Sequence, residues 1–218
     1  IILTTPNLTL STGGALNTRT YSSVNAGKIS IQGSNLVQLL GASPIDSRAA
    51  SAIYSTTFSD GRAGDIAIAT QQYQAINGGV ILSSSRGRGA GGNVTINATE
   101  SIRLTGVAAL FQPSLISAGT FDQGNAGEVT LNTKRLIVQN GGRVDSSTVA
   151  QGTAGSVRVN AIESVEISGT VPNSRNPSLI ISSANILDPV LRQAFLVPST
   201  LSGESGDVTI QTGQLTVR

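Results

Sequence analysis

The chain has 218 residues, no Cys, His, Met or Trp, and only three Tyr and four Phe. Its 14 basic and 12 acidic residues leave a formal charge of +2, and charged residues are 12% of the chain, about half the usual share. Such a composition excludes disulfides and thiolate metal sites, offers no basic run with interleaved aromatics for nucleic acid, and leaves only small aliphatics for a core.

The chain order is governed by an internal repeat. A motif of small residue, Gly, polar, apolar, any, apolar, polar reads AGKISIQ at 26–32, AGDIAIA at 63–69, GGNVTIN at 91–97, AGEVTLN at 126–132, AGSVRVN at 154–160 and SGDVTIQ at 205–211. The anchor glycines, Gly27, Gly64, Gly92, Gly127, Gly155 and Gly206, are spaced 37, 28, 35, 28 and 51 residues apart. Short and long units alternate. Short units carry a second turn, Asn77-Gly78-Gly79 or Asn140-Gly141-Gly142, matched near the start by Thr12-Gly13-Gly14. Aligned on that turn, Ile1 and Leu3 fall where Val129 and Leu131 lie, so five whole units stand between two partial short ones. The expectation is a slice of a longer rod or a subunit that stacks. With no initiator Met and no visible signal peptide, the chain reads as mature or as a fragment.

Each unit predicts three short strands, in 127–155 Glu128–Asn132, Arg135–Gln139 and Arg143–Thr148, each alternating apolar with polar residues. Stacking the units in register places Ile29, Ile66, Val94, Val129, Val157 and Val208 in one inward column, and Ile31, Ile68, Ile96, Leu131, Val159 and Ile210 in a second. The second strand adds pairs such as Val37/Leu39, Tyr73/Ala75 and Ile102/Leu104. The predicted fold is all-β: one right-handed parallel β-helix over 1–218, about seven coils of alternating 28 and 35–51 residues, with a loop insertion at 185–200 on the last long coil. No run of 18 apolar residues exists, so no membrane span is expected.

Candidate sites are few. Asn97, Asn132 and Asn160, continued by Gln211, form a polar column that reads as an amide ladder along the axis. The glycines of Arg86-Gly87-Arg88-Gly89-Ala90-Gly91-Gly92 occupy the turn before an anchor and lack the Lys-Ser/Thr of a phosphate loop, leaving two arginines for an anionic surface. Asp65, Glu128 and Asp207 recur two coils apart, too sparse for calcium, and read as solvated turn residues. Glu100 and Glu163, also two coils apart, are a weak pair for glycoside hydrolysis. No catalytic residue, metal ligand or cofactor is expected. The 51-residue unit is the largest departure. Asp188-Pro189 there reads as the start of a short amphipathic turn. Ile186, Leu187, Val190, Leu191, Phe195 and Leu196 form the candidate interaction loop, which either covers the solenoid or presents a contact surface.

The stretches Gly124–Thr133, Val138–Thr148 and Gly91–Gly106 resemble the repeats of filamentous-haemagglutinin-like exoproteins, more narrowly those of cyanobacterial two-partner-secretion proteins. The resemblance runs over the whole chain outside 185–200. It implies a right-handed β-helix, export through an outer-membrane partner transporter, an extracellular or outer-cell-surface location, and a role in adhesion or filament formation with surface glycans or neighbouring copies as partners. The secretion-domain motifs Asn-Pro-Asn-Gly and Asn-Pro-Asn-Leu are absent from this stretch. The expected function is a structural or adhesive rod rather than an enzyme. The alternatives are a polysaccharide-acting β-helix enzyme and an ice- or surface-binding solenoid, the latter interrupted by Ala67 and Arg158 in its outward column.

Overall fold

A computed structural model describes residues 1–109, 112–149, 151–171, 177–184 and 203–218. Thirteen strands form two parallel sheets. The first holds β1 (Ile2–Ser11), β3 (Ile29–Leu40), β5 (Ile66–Ile76), β7 (Val94–Thr105), β9 (Val129–Gln139), β11 (Val157–Ser168) and β13 (Val208–Val217). Interleaved with them, β2 (Ala15–Thr20), β4 (Ala52–Thr57), β6 (Val80–Ser85), β8 (Leu115–Ser117), β10 (Arg143–Asp145) and β12 (Leu179–Ile181) form the second. Every strand therefore pairs with its equivalent one coil away, which is a parallel β-solenoid of seven coils. Six steps of about 4.8 Å make a rod of about 30 Å.

The columns expected from the repeat are in register: Ile29 pairs with Ile66, Val94 with Val129, and Val129 with Val157. Their side chains are fully buried and merge into one core running the length of the rod. The second sheet closes that core with a column from its other side, Ile53, Ile81, Ile116 and Val144, flanked by the partly buried Leu16 and Ile180. Each buried aliphatic contributes roughly 1.5–3 kcal/mol of transfer free energy.

The predicted three strands per coil are in fact two. The first two segments run together as one strand with a register shift at the corner, as between Asn97 and Ser101 opposite Asn132 and Arg135. At that corner the short coils place a threonine whose hydroxyl donates to the carbonyl two residues on: Thr5 to Asn7, Thr70 to Gln72, Thr133 to Arg135 and Thr212 to Gln214. The long coils place Gly33, Ala98 or Ala161 there and carry one more residue around the bend. The backbone stays extended while the chain changes direction.

The rest of the length difference lies at the next corner. Short coils turn through 12–14, 77–79 and 140–142, whereas long coils extend through 41–51, 106–114 and 169–178. Each excursion is pinched by an antiparallel bridge, Ala42 to Ala50, Val107 to Pro113 and Thr170 to Pro177. The tight turns hold two consecutive residues at positive φ, Asn77 (50°) with Gly78 (97°) and Asn140 (51°) with Gly141 (86°), which is why Asn-Gly is used.

At the third corner the coils touch backbone to backbone. A Cβ on Gly64, Gly127 or Gly155 would run into the carbonyl of Gly27, Gly92 or Gly127 respectively. A second glycine column three residues earlier, Gly61, Gly89, Gly124, Gly152 and Gly203, is equally crowded. Serine hydroxyls lash this seam: the buried Ser83 donates to the Gly64 carbonyl and accepts from the Gly92 N–H, and the buried Ser146 and partly buried Ser182 reach the carbonyls of Gly127 and Gly155.

Candidate functional site: a groove on the second sheet

The polar features of the first sheet resolve into axial ties. Asn132 donates its side-chain N–H to Asn97 (2.7 Å) and Asn160 donates to Asn132 (2.8 Å), as expected of an amide ladder; Gln211 holds the next register position beside Asn160. Asp65 pairs with Arg62 (2.8 Å) and Lys28 (3.3 Å), and its carboxylate also accepts the N–H of Asn93. Glu128 faces Arg158 at 3.6 Å. Glu100 is held by Lys134 (2.9 Å) and Glu163 by Arg135 (3.0 Å), both cations coming from the coil between them. The two glutamates are therefore neutralised separately and do not face one another as a catalytic pair.

The interaction loop built on Ile186, Leu187, Val190, Leu191, Phe195 and Leu196 lies outside the described residues. Among the described residues no group of three or more Asp or Glu is placed to hold a metal ion. No helix among them is long and apolar enough to cross a membrane.

The outer face of the second sheet is different in kind. Strand residues that alternate with the inward column point outward there, and several are apolar. Ala50, Ala52 and Val80 are buried and pack with the half-buried Tyr54, Leu82 and Leu115 into a cluster separate from the core. This cluster floors a groove of about 580 Å³. At the strand starts it is walled by the long-coil excursions, through Arg48, Ala49 and Gln112. At the strand ends it is walled by Arg19, Phe58 and Arg86.

Local structure fixes these walls. Phe58 stacks on Tyr21 with ring centroids 4.7 Å apart and planes within 10°. Arg86 lies over the ring of Phe121, 5.0 Å from its centroid, a contact that orients its guanidinium. Burial pushes the Tyr54 hydroxyl above the usual phenol range, while the guanidiniums of Arg19 and Arg86 pull it the other way without cancelling that rise. Tyr54 thus sits on the floor within the field of both arginines. No Asp or Glu lines the groove among the described residues. Arg19 and Arg48 form no ion pair with any described residue.

From the sequence, Arg86 was visible only as half of an arginine pair for an anionic surface. The groove itself gave no spacing signal, because Arg19 points out of a strand, Arg48 stands on an excursion and Arg86 follows a strand end. Searches of family models, curated proteins and solved structures find no match to this chain.

Proposed function

We propose that this chain is a segment of an extracellular or cell-surface rod with a structural or adhesive role. The observation that carries this reading is the continuity of the stack. One aliphatic core and two parallel sheets of seven and six strands run through the stack, tied along the axis by the Asn97–Asn132–Asn160 ladder and by the serines at the glycine corner. Such an object resists extension along its axis and presents side chains at fixed intervals. Export through an outer-membrane partner transporter, in the manner of the filamentous-haemagglutinin-like exoproteins that the repeats resemble, belongs to the same reading.

The separate pairing of Glu100 with Lys134 and of Glu163 with Arg135 supports a scaffold over a polysaccharide-cleaving enzyme. The deciding experiment is immunogold electron microscopy on the producing cells, with antibodies raised against this chain. Labelled filaments or rods at the surface are the expected result. Label confined to the cell interior, or compact particles released from the cells, overturns the proposal.

A further inference from the structure

We infer that the groove on the second sheet binds a linear oligosaccharide that carries carboxylates on separate sugar units. The inference rests on the surface-rod reading and names what such a rod would grip.

The chemistry of the lining carries it. Arg19 and Arg86 stand at one end of an apolar floor, two coils apart, and Arg48 stands at the other end. Cations at both ends with apolar surface between them select a ligand whose charges are separated. A fatty acid has one charged end and fills only half of that pattern. A chain of pyranose units with carboxylates presents C–H faces to Tyr54 and Leu82 and planar anions to the guanidinium forks, which bind carboxylates bidentately. Neutral hydrogen-bonding groups, Asn17, Thr56 and Gln112, lie within the same lining for the sugar hydroxyls. The volume suits a bound segment of a few sugar units rather than a single ion.

The groove is also stiff. Its floor belongs to three parallel strands in unbroken register, Ala15–Thr20 with Ala52–Thr57 and Ala52–Thr57 with Val80–Ser85. A rigid floor lowers the ordering entropy that binding must overcome.

The test uses the purified chain and isothermal titration calorimetry against unbranched oligogalacturonate hexamers. A neutral hexamer of the same linkage and a sulfated dextran of matched length serve as comparisons. Binding to the oligogalacturonate is expected, weakening as ionic strength rises. The double substitution Arg19→Gln with Arg48→Gln is expected to reduce affinity at least tenfold while leaving the melting temperature unchanged. Arg103→Gln, on the outer face of the first sheet, is expected to leave affinity as it was. Equal affinity for the neutral hexamer, no effect of the double substitution, or equal and equally arginine-dependent binding of the sulfated dextran each overturns the inference. No binding to any of the three also overturns it, and none of these results touches the surface-rod reading, which the microscopy decides.

Discussion

The hydroxyl of Ser114 accepts the backbone N–H of Gly78 at 3.0 Å across the gap between two coils, and donates to the Thr105 carbonyl of its own coil at 2.8 Å. The same clamp joins Ser51 to Gly13 and Ser178 to Gly141. In each case a serine at the foot of a long-coil excursion holds the tight turn of the short coil before it. Alternation of coil length is thus built into the bonding, because an excursion supplies the acceptor that the N–H of a neighbouring tight turn lacks.

Ser114→Ala leaves the buried Gly78 N–H without a partner, and the expected loss is about 1–3 kcal/mol of unfolding free energy. Ser51→Ala should lose less, because Gly13 is partly exposed. Urea titration of the two variants beside the parent chain measures the difference. Equal losses would show that water takes the place of neither or of both hydroxyls.

Gly127→Ala pushes a methyl into the carbonyl of Gly92, and the two coils cannot separate without breaking the ladder on either side. The expected outcome is a loss above about 4 kcal/mol, or failure to fold. Gly27→Ala, at the equivalent position one anchor from the start of the chain, meets only the Thr18 methyl at 3.4 Å, an ordinary contact. There the shorter list of unfolded conformations acts alone, so the variant should be neutral or more stable by about 0.4–1 kcal/mol. Thermal melts of both proteins check the pair.

The glycine seam shows what a single sequence reveals and what it hides. Anchor glycines and the apolar residues at two and four places beyond them were legible because strand periodicity and a fixed turn repeat together. The register that places Val129 between Val94 and Val157 follows from that alone. The second glycine column was equally regular in the sequence, at three residues before each anchor from Gly61 onward, but only the close approach of carbonyls gives it meaning. The strand break predicted between Asn132 and Arg135 does not occur, although Thr133-Lys134 resembles a turn in the sequence. The backbone stays extended, since the Thr133 hydroxyl bridges the bend. The arginine groove was hidden for a different reason. Its cations come from three coils and three kinds of local structure, so no periodicity links them.

Tyr73 is the one large irregularity in the core among the described residues. Its ring and the small Ala75 beside it occupy the places filled by Val37 with Leu39 and by Ile102 with Leu104 on the adjacent coils. The ring fits, but the hydroxyl is fully buried and has no hydrogen-bond partner. Burial pushes its pKa far above the usual phenol value. Tyr73→Phe keeps the ring and removes the stranded hydroxyl, so the variant is expected to gain about 1 kcal/mol. Tyr73→Ala removes the ring and should lose about 3–5 kcal/mol. Denaturant titration of both variants decides whether the hydroxyl is stranded. A loss of stability in Tyr73→Phe would mean that it has a partner.

Asp65 connects the fold to pH. Desolvation raises its carboxyl, but the Asn93 N–H, Arg62 and Lys28 together outweigh that effect and hold its pKa below the ordinary aspartate value. A carboxylate whose pKa is depressed in the folded state stabilises the fold fully above its unfolded pKa. That contribution disappears as pH falls through the lower, folded value. Asp65→Asn keeps an oxygen to accept the Asn93 N–H and removes only the charge. At neutral pH the variant should be less stable by about 1 kcal/mol or less, since the ion pairs are partly exposed. Between neutral pH and about pH 5 that gap should stay constant, and it should close as pH falls below about 4. Melting temperatures of the two proteins across this range measure it. A gap that persists in acid would assign the stabilisation to the shape of the side chain, and the two cations would then be spectators at this seam.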